Sequence, residues 1–184
     1  MTKYLGLAGL LSSMAIASPL APCGTNVWSS SMSGISGRLC IAEQSISEDA
    51  FFTVALELRN DGAMPLAVQC ANPHLFTAAV IDGAGKRVQP TLARHDVISS
   101  PQWGVIPGNS YLRFPVSIQS EDGAKGSHLD TTTLIWKLAP GMYRISADYS
   151  SGKSADFMGQ SGPATIWTGT LRLPQVNIEV TPKK

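Results

Sequence analysis

Past Ser36 the chain alternates apolar and polar residues with a period of two. Phe52, Val54, Leu56 and Leu58 share one side, and Thr53, Glu57 and Arg59 share the other. That is the pattern of a half-buried antiparallel strand. Asn60-Asp61-Gly62 follows as a turn, because these residues tolerate positive φ. Leu66, Val68 and Cys70 continue as a returning strand. A further apolar run from Leu75 to Asp82 ends in the turn Asp82-Gly83-Ala84-Gly85 before Lys86-Arg87-Val88. Leu112, Phe114, Val116 and Ile118 alternate with Arg113, Pro115 and Ser117. Pro115 cannot donate to a neighbour, so this strand is expected at a sheet edge. Leu134-Ile135-Trp136 leads to the turn at Pro140-Gly141. Tyr143, Ile145, Ala147 and Tyr149 then alternate with polar residues, as Val176, Ile178 and Val180 do near the end. No segment after Ser36 sustains a helical period over three turns. Seven to eight short strands of this kind bury their apolar faces by stacking as two antiparallel sheets. A closed barrel is the alternative arrangement.

Three phrases carry a resemblance. Pro140-Gly141-Met142-Tyr143, followed by Ile145 and Ala147, looks like the start of strand F in immunoglobulin-like sandwiches, where a tyrosine after a Gly turn bonds the upstream backbone. Val105-Ile106-Pro107-Gly108 looks like a turn of bacterial sandwich domains. Trp167-Thr168-Gly169-Thr170-Leu171 and then Val176-Asn177-Ile178-Glu179-Val180 resemble their closing strand. From about Leu56 onward the chain is similar to the BsuPI-type proteinase-inhibitor domains and related bacterial immunoglobulin-like modules. The resemblance implies an all-β, two-sheet antiparallel immunoglobulin-like sandwich of seven to eight strands, with proteinase inhibition as one function to consider. Ile145 stands two residues after the tyrosine, so the antibody-type disulfide is absent.

The N-terminus reads differently. Lys3 precedes an apolar run from Tyr4 to Ala17 that ends in the small-x-small sequence Ala15-Ile16-Ala17. The run is shorter than the ~20 residues a spanning helix needs, and it reads as a signal peptide cleaved after Ala17. Residues 18–35 are then a flexible leader rich in Ser and Gly, and residues 36–184 form the sandwich domain. Leu20-Ala21-Pro22-Cys23 resembles a lipobox, which makes Cys23 a candidate for lipidation. Pro22 departs from the small residue normally found before that cysteine.

Three cysteines are an odd count for an exported chain. The strand reading puts Cys40 late in the first strand, level with about Thr53. The turn at Asn60-Asp61-Gly62 then returns Cys70 to the same height. Cys40–Cys70 is therefore the expected disulfide and Cys23–Cys40 the next choice. Against the first, Cys70 falls in an apolar row whereas Cys40 alternates with Leu39 and Ile41.

Charge and motifs remove several function classes. Fourteen basic and thirteen acidic residues in 184 leave a formal charge of +1, which is no footprint for nucleic acid. Ala147–Ser154 fits a loose phosphate-loop pattern, but the Gly- and Pro-containing stretch behind it is too short for the helix such a loop requires. His74, His95 and His128 have no partner at metal-ligand spacing. No serine sits in a Gly-x-Ser-x-Gly elbow. Trp136 is expected in the core and Trp167 over one end of the sandwich. His95 and Trp103 are candidate binding residues in the loop from Arg94 to Gly108, with Ser150–Ile166 as a second candidate loop. The expected function is a non-catalytic, extracytoplasmic binding or structural module of a bacterial envelope, with no cofactor. Its expected partner is a protein or envelope component, with membrane attachment only through a lipidated Cys23. The rival readings are a BsuPI-type inhibitor and a hydrolase.

Overall fold

Alternation at this density leaves each strand with one oily face, and the chain hides those faces by layering sheets. The computed structural model describes residues 23, 27–48, 54–70, 76–92, 103–116, 127–130, 134–152 and 165–183. These contain no helix and fifteen strands: β1 (Ile35–Ile41), β2 (Ser45–Ser47), β3 (Val54–Asn60), β4 (Leu66–Gln69), β5 (Phe76–Asp82), β6 (Arg87–Val88), β7 (Thr91–Leu92), β8 (Trp103–Ile106), β9 (Tyr111–Pro115), β10 (Ser127–Asp130), β11 (Leu134–Leu138), β12 (Gly141–Ser151), β13 (Thr165–Ile166), β14 (Gly169–Arg172) and β15 (Val176–Thr181). The first sheet runs β1-β3-β9. A larger sheet runs β2-β15-β12-β5-β6, with β14 also paired to β12. Two small sheets, β13-β4-β8 and β10-β11-β7, complete the set. The pairs are antiparallel except β13–β4 and β15–β2. The protein is thus all-β and sandwich-like, with some parallel pairing.

The inner face of the first sheet carries Ile35, Leu39, Ile41, Val54, Leu56 and Leu58. The large sheet answers with Val80, Ile145, Ala147, Tyr149, Leu171, Val176 and Ile178, all in one buried cluster. Each of the Val, Leu and Ile side chains among them contributes about 1.5–3 kcal/mol on leaving water. Close approach of the layers depends on Gly37, where a side chain would run into Leu173 and Leu58. Leu173 reaches that spot because the partner of β12 breaks in two. β15 pairs with Gly141–Ile145 and β14 with Asp148–Ser151. Between them the Leu173 amide still donates to the Ala147 carbonyl at 2.9 Å.

Several sequence expectations are met. The Asp82–Gly85 turn joins β5 to β6, with Gly85 at φ 82° and the Asp82 carboxylate accepting from the Ala84 and Lys86 amides. β9, which carries Pro115, lies at the edge of its sheet. Trp136 is buried. Trp167 is buried too, stacked on Tyr149 with ring centroids 5.9 Å apart. Tyr143 donates its hydroxyl to the Ala139 carbonyl at 2.7 Å, and its ring is only half-buried.

Two features differ. The strands are shorter and more numerous than seven or eight, because the chain changes sheet at several of its turns. Asn60-Asp61-Gly62 shows this most clearly. β3 pairs with β1 and β9, while β4 pairs with β8 and β13, so the turn crosses between sheets and makes no hairpin. The other difference is the N-terminal segment. Residues 27–34 fall within the expected leader, yet they are bonded to the sandwich: the Ser29 amide donates to the Gly37 carbonyl and Met32 bridges Ile35. The signal segment before Cys23 and the Ala147–Ser154 phosphate-loop match beyond Gly152 lie outside the described residues.

Candidate functional site

Period two puts Ser36, Arg38 and Cys40 on the outer face of β1, opposite Leu39 and Ile41. The register then aligns three rows across the first sheet. Ser36 faces Arg59, which faces Tyr111. Arg38 faces Glu57, which faces Arg113. Cys40 faces Ala55, which faces Pro115. An outward carboxylate on a central strand should be wet, but Glu57 is only 1% exposed. Arg38 Nε lies 2.6 Å from Glu57 Oε2, and Arg113 takes Oε1 from the other side. The arginines are themselves largely covered, with side-chain exposures of 14% and 13%. Both carboxylate oxygens are thus occupied by charged donors, a strong form of hydrogen bond. A carboxylate held this way links the three strands of the first sheet.

Trp28 lies over this face. Its ring is 4.4 Å from the Arg38 guanidinium and 4.5 Å from that of Arg59, both within cation–π range. Arg59 also pairs with Asp61 at 2.6 Å. The result is a continuous surface row: Trp28, Arg59 with its side chain 41% exposed, and Tyr111, 62% exposed.

At the Tyr111 end of this row three turns meet around one buried amide. Asn60 is fully buried. Its Nδ2 donates to the Met64 carbonyl at 2.7 Å and to the Ile106 carbonyl at 3.0 Å, and its Oδ1 accepts from the Gly62 amide at 3.0 Å. Backbone bonds join the same turns: Asp61 to Gly34, Asn60 to Ser110 and Asn109 to Gly62. Any side chain at Gly108 would fall on the Ala63 backbone, so the turns touch directly. The tip so fixed presents Met64, 71% exposed. Replacing Asn60 by alanine strands these carbonyls and the Gly62 amide. The expected loss is about 2–3 kcal/mol, measured as a lower urea midpoint with unchanged slope.

The expected site residues are placed as follows. No bridge joins Cys23, Cys40 and Cys70 in the structure. Cys40 and Cys70 are not brought together. Cys40 is on the outer face of the first sheet, whereas Cys70 packs on the core side, where a side chain at Gly104 would meet both its sulfur and Leu112. The reason is the sheet change at Asn60, which carries Cys70 away from the strand that pairs with β1. Burial pushes the Cys70 thiol pKa up. Cys40 instead has Cys23 beside it. Trp103 is half-buried at the start of β8, opposite Gln69, so it is a strand residue and not a loop anchor. His95, most of the Arg94–Gly108 loop and most of the Ser150–Ile166 loop lie outside the described residues. Among the described residues no group of three His, Cys, Asp or Glu side chains is placed to hold a metal.

Sequence reasoning missed the Glu57 clamp and the Trp28 row. Glu57 was legible as an outward residue, but its two arginines stand 19 and 56 positions away, and only strand order joins them. For Trp28 the signal available was the Trp itself within a Ser-rich stretch. No family model, no curated protein and no solved structure matches the chain.

Proposed function

We propose that this protein is a non-catalytic binding module of the extracytoplasmic space, with the Trp28–Arg59–Tyr111 row and the adjoining Met64 tip as its contact surface. The observation that carries the reading is the combination of exposure and rigidity in that row. Tyr111 and Met64 stand largely in water and Arg59 is half-exposed, yet the backbone beneath them is fixed by buried Asn60 and buried Glu57. Tyr, Trp and Arg dominate binding energy at interfaces, and a rigid platform lowers the entropy they lose on docking. The partner is a protein or another envelope component. Export is supported by the Lys3 start, the apolar run and Ala15-Ile16-Ala17, and is tested by the intact mass of protein from the envelope fraction, which should begin at Ser18.

The test of binding is a paired variant, Tyr111→Ala with Met64→Ser. Both side chains are exposed, so thermal stability should be unchanged. The component that co-purifies with the native protein should be lost. Recovery of the same component at the same yield counts against this surface. Hydrolysis of generic ester or peptide substrates by the purified protein would instead favour an enzyme.

A further inference from the structure

Residues 27–34 double back along β1 and are held at successive points. Met32 bridges Ile35, the Ser29 amide donates to the Gly37 carbonyl, and Ser29 Oγ accepts from the Gly37 amide at 3.0 Å. Further out, Cys23 Sγ donates to the Leu39 carbonyl at 3.8 Å. That places it against the peptide that leads into Cys40, close enough for the two thiols to act as hydrogen-bond partners. Cys40 is 5% exposed and stands in the row with Ala55 and Pro115, which carry no bulky polar group to fill the space above it. Cys70 is on the other side of the sheet, so the cysteines divide into a neighbouring pair and a single core thiol.

We infer that Cys23 and Cys40 are joined by a disulfide that fastens the N-terminal segment across the outer face of the first sheet. The bridge rests on the export reading, since it forms in an oxidising compartment. Its oxidant is a disulfide-carrying thiol oxidoreductase. Cys23, the more exposed sulfur, attacks that disulfide as a thiolate, forming a mixed disulfide and releasing one thiol of the oxidant. Cys40 then attacks Cys23 Sγ, its proton passing to the sulfur that is displaced, which leaves as the oxidant's second thiol. Two protein thiols are oxidised and one disulfide of the oxidant is reduced to two thiols. Burial and the neighbouring Cys23 push the Cys40 pKa up to about 12, which leaves the first attack to Cys23. Once made, the tie holds Trp28 over Arg38 and Arg59, and the redox state of the pair governs how firmly the contact row is covered at its Trp28 end. A thioether-linked lipid on Cys23 and this bridge are mutually exclusive.

The full-length chain, purified under reducing conditions, is equilibrated with oxidised glutathione, alkylated, and mapped without reduction. The expected result is a linked Cys23–Cys40 peptide with Cys70 alkylated. Reduction should then lower the Tm of the wild type by about 10 °C and leave that of Cys23→Ala unchanged. A link from Cys70 to either partner, three alkylated cysteines, or an acylated Cys23 in envelope protein overturns the inference. Protein from cells that retains Met1 refutes export, and the glutathione measurement still reads the bridge independently.

Discussion

Glu57→Ala should lower the unfolding free energy by about 3–5 kcal/mol, the largest loss from any single charged residue described. The substitution leaves Arg38 and Arg113 facing one another, largely out of water, with no counter-charge between them. Breaking a buried ionic group by removing one partner costs about this much, because the stranded charge keeps its desolvation penalty. Domains of this size are stable by only about 5–15 kcal/mol, so the variant should sit near the edge of folding at 37 °C. The cause is separable from simple loss of bulk. Replacing the three residues together, Arg38→Met, Glu57→Leu and Arg113→Met, removes every charge and should recover most of the loss. Urea unfolding monitored by tryptophan fluorescence measures both variants. A loss under about 1 kcal/mol for Glu57→Ala would show that the carboxylate is solvated and the clamp is not formed.

Tyr149→Ala should cost a similar amount, about 3–5 kcal/mol. Tyr149 is fully buried in the middle of the sandwich, stacked on Trp167 and edge-on to Phe114. Its hydroxyl donates to the Gln69 carbonyl at 2.8 Å and so ties β12 to the end of β4. Burial pushes the phenol pKa up, against the hydrogen bond with Ser151 that lowers it, so the donor keeps its proton throughout the ordinary pH range. Tyr149→Phe retains the ring contacts and loses that bond, for an expected cost of about 1–2 kcal/mol. Differential scanning calorimetry ranks the two variants. Equal effects would mean that the hydroxyl, and not the packed ring, carries the contribution.

These residues also show how far the chain could be read in advance. The alternation of Val54, Leu56 and Leu58 with Glu57 and Arg59 fixed which side of β3 meets the core, and the structure agrees for the aliphatic positions. The same holds for Tyr149 on β12 and for Val176, Ile178 and Val180 on β15. Pro115 correctly marked an edge. Periodicity is a local property, however, and does not say which strands become neighbours. Asn60-Asp61-Gly62 has the composition of a hairpin turn, but the Asn60 side chain spends its hydrogen bonds on Met64 and Ile106, so the chain steps to another sheet. That single step separates Cys40 from Cys70. It also explains why Glu57, outward by parity, is buried: its cover comes from β1, β9 and the segment around Trp28, which only the assembled register brings together. The contact row was hidden for the same reason. Trp28, Arg59 and Tyr111 are ordinary residues until Arg59 is paired opposite Tyr111 and Trp28 is laid across it.

The most direct test of that row as a binding surface is site-specific photo-crosslinking in the native envelope. A benzophenone amino acid is placed at Tyr111 in one full-length variant and at Arg144 in another. Arg144 is exposed on β12, in the sheet on the far side of the core. The expected result is a discrete crosslinked product from the Tyr111 position and none from Arg144. A product from Arg144 with none from Tyr111, or equal products from both, would contradict it.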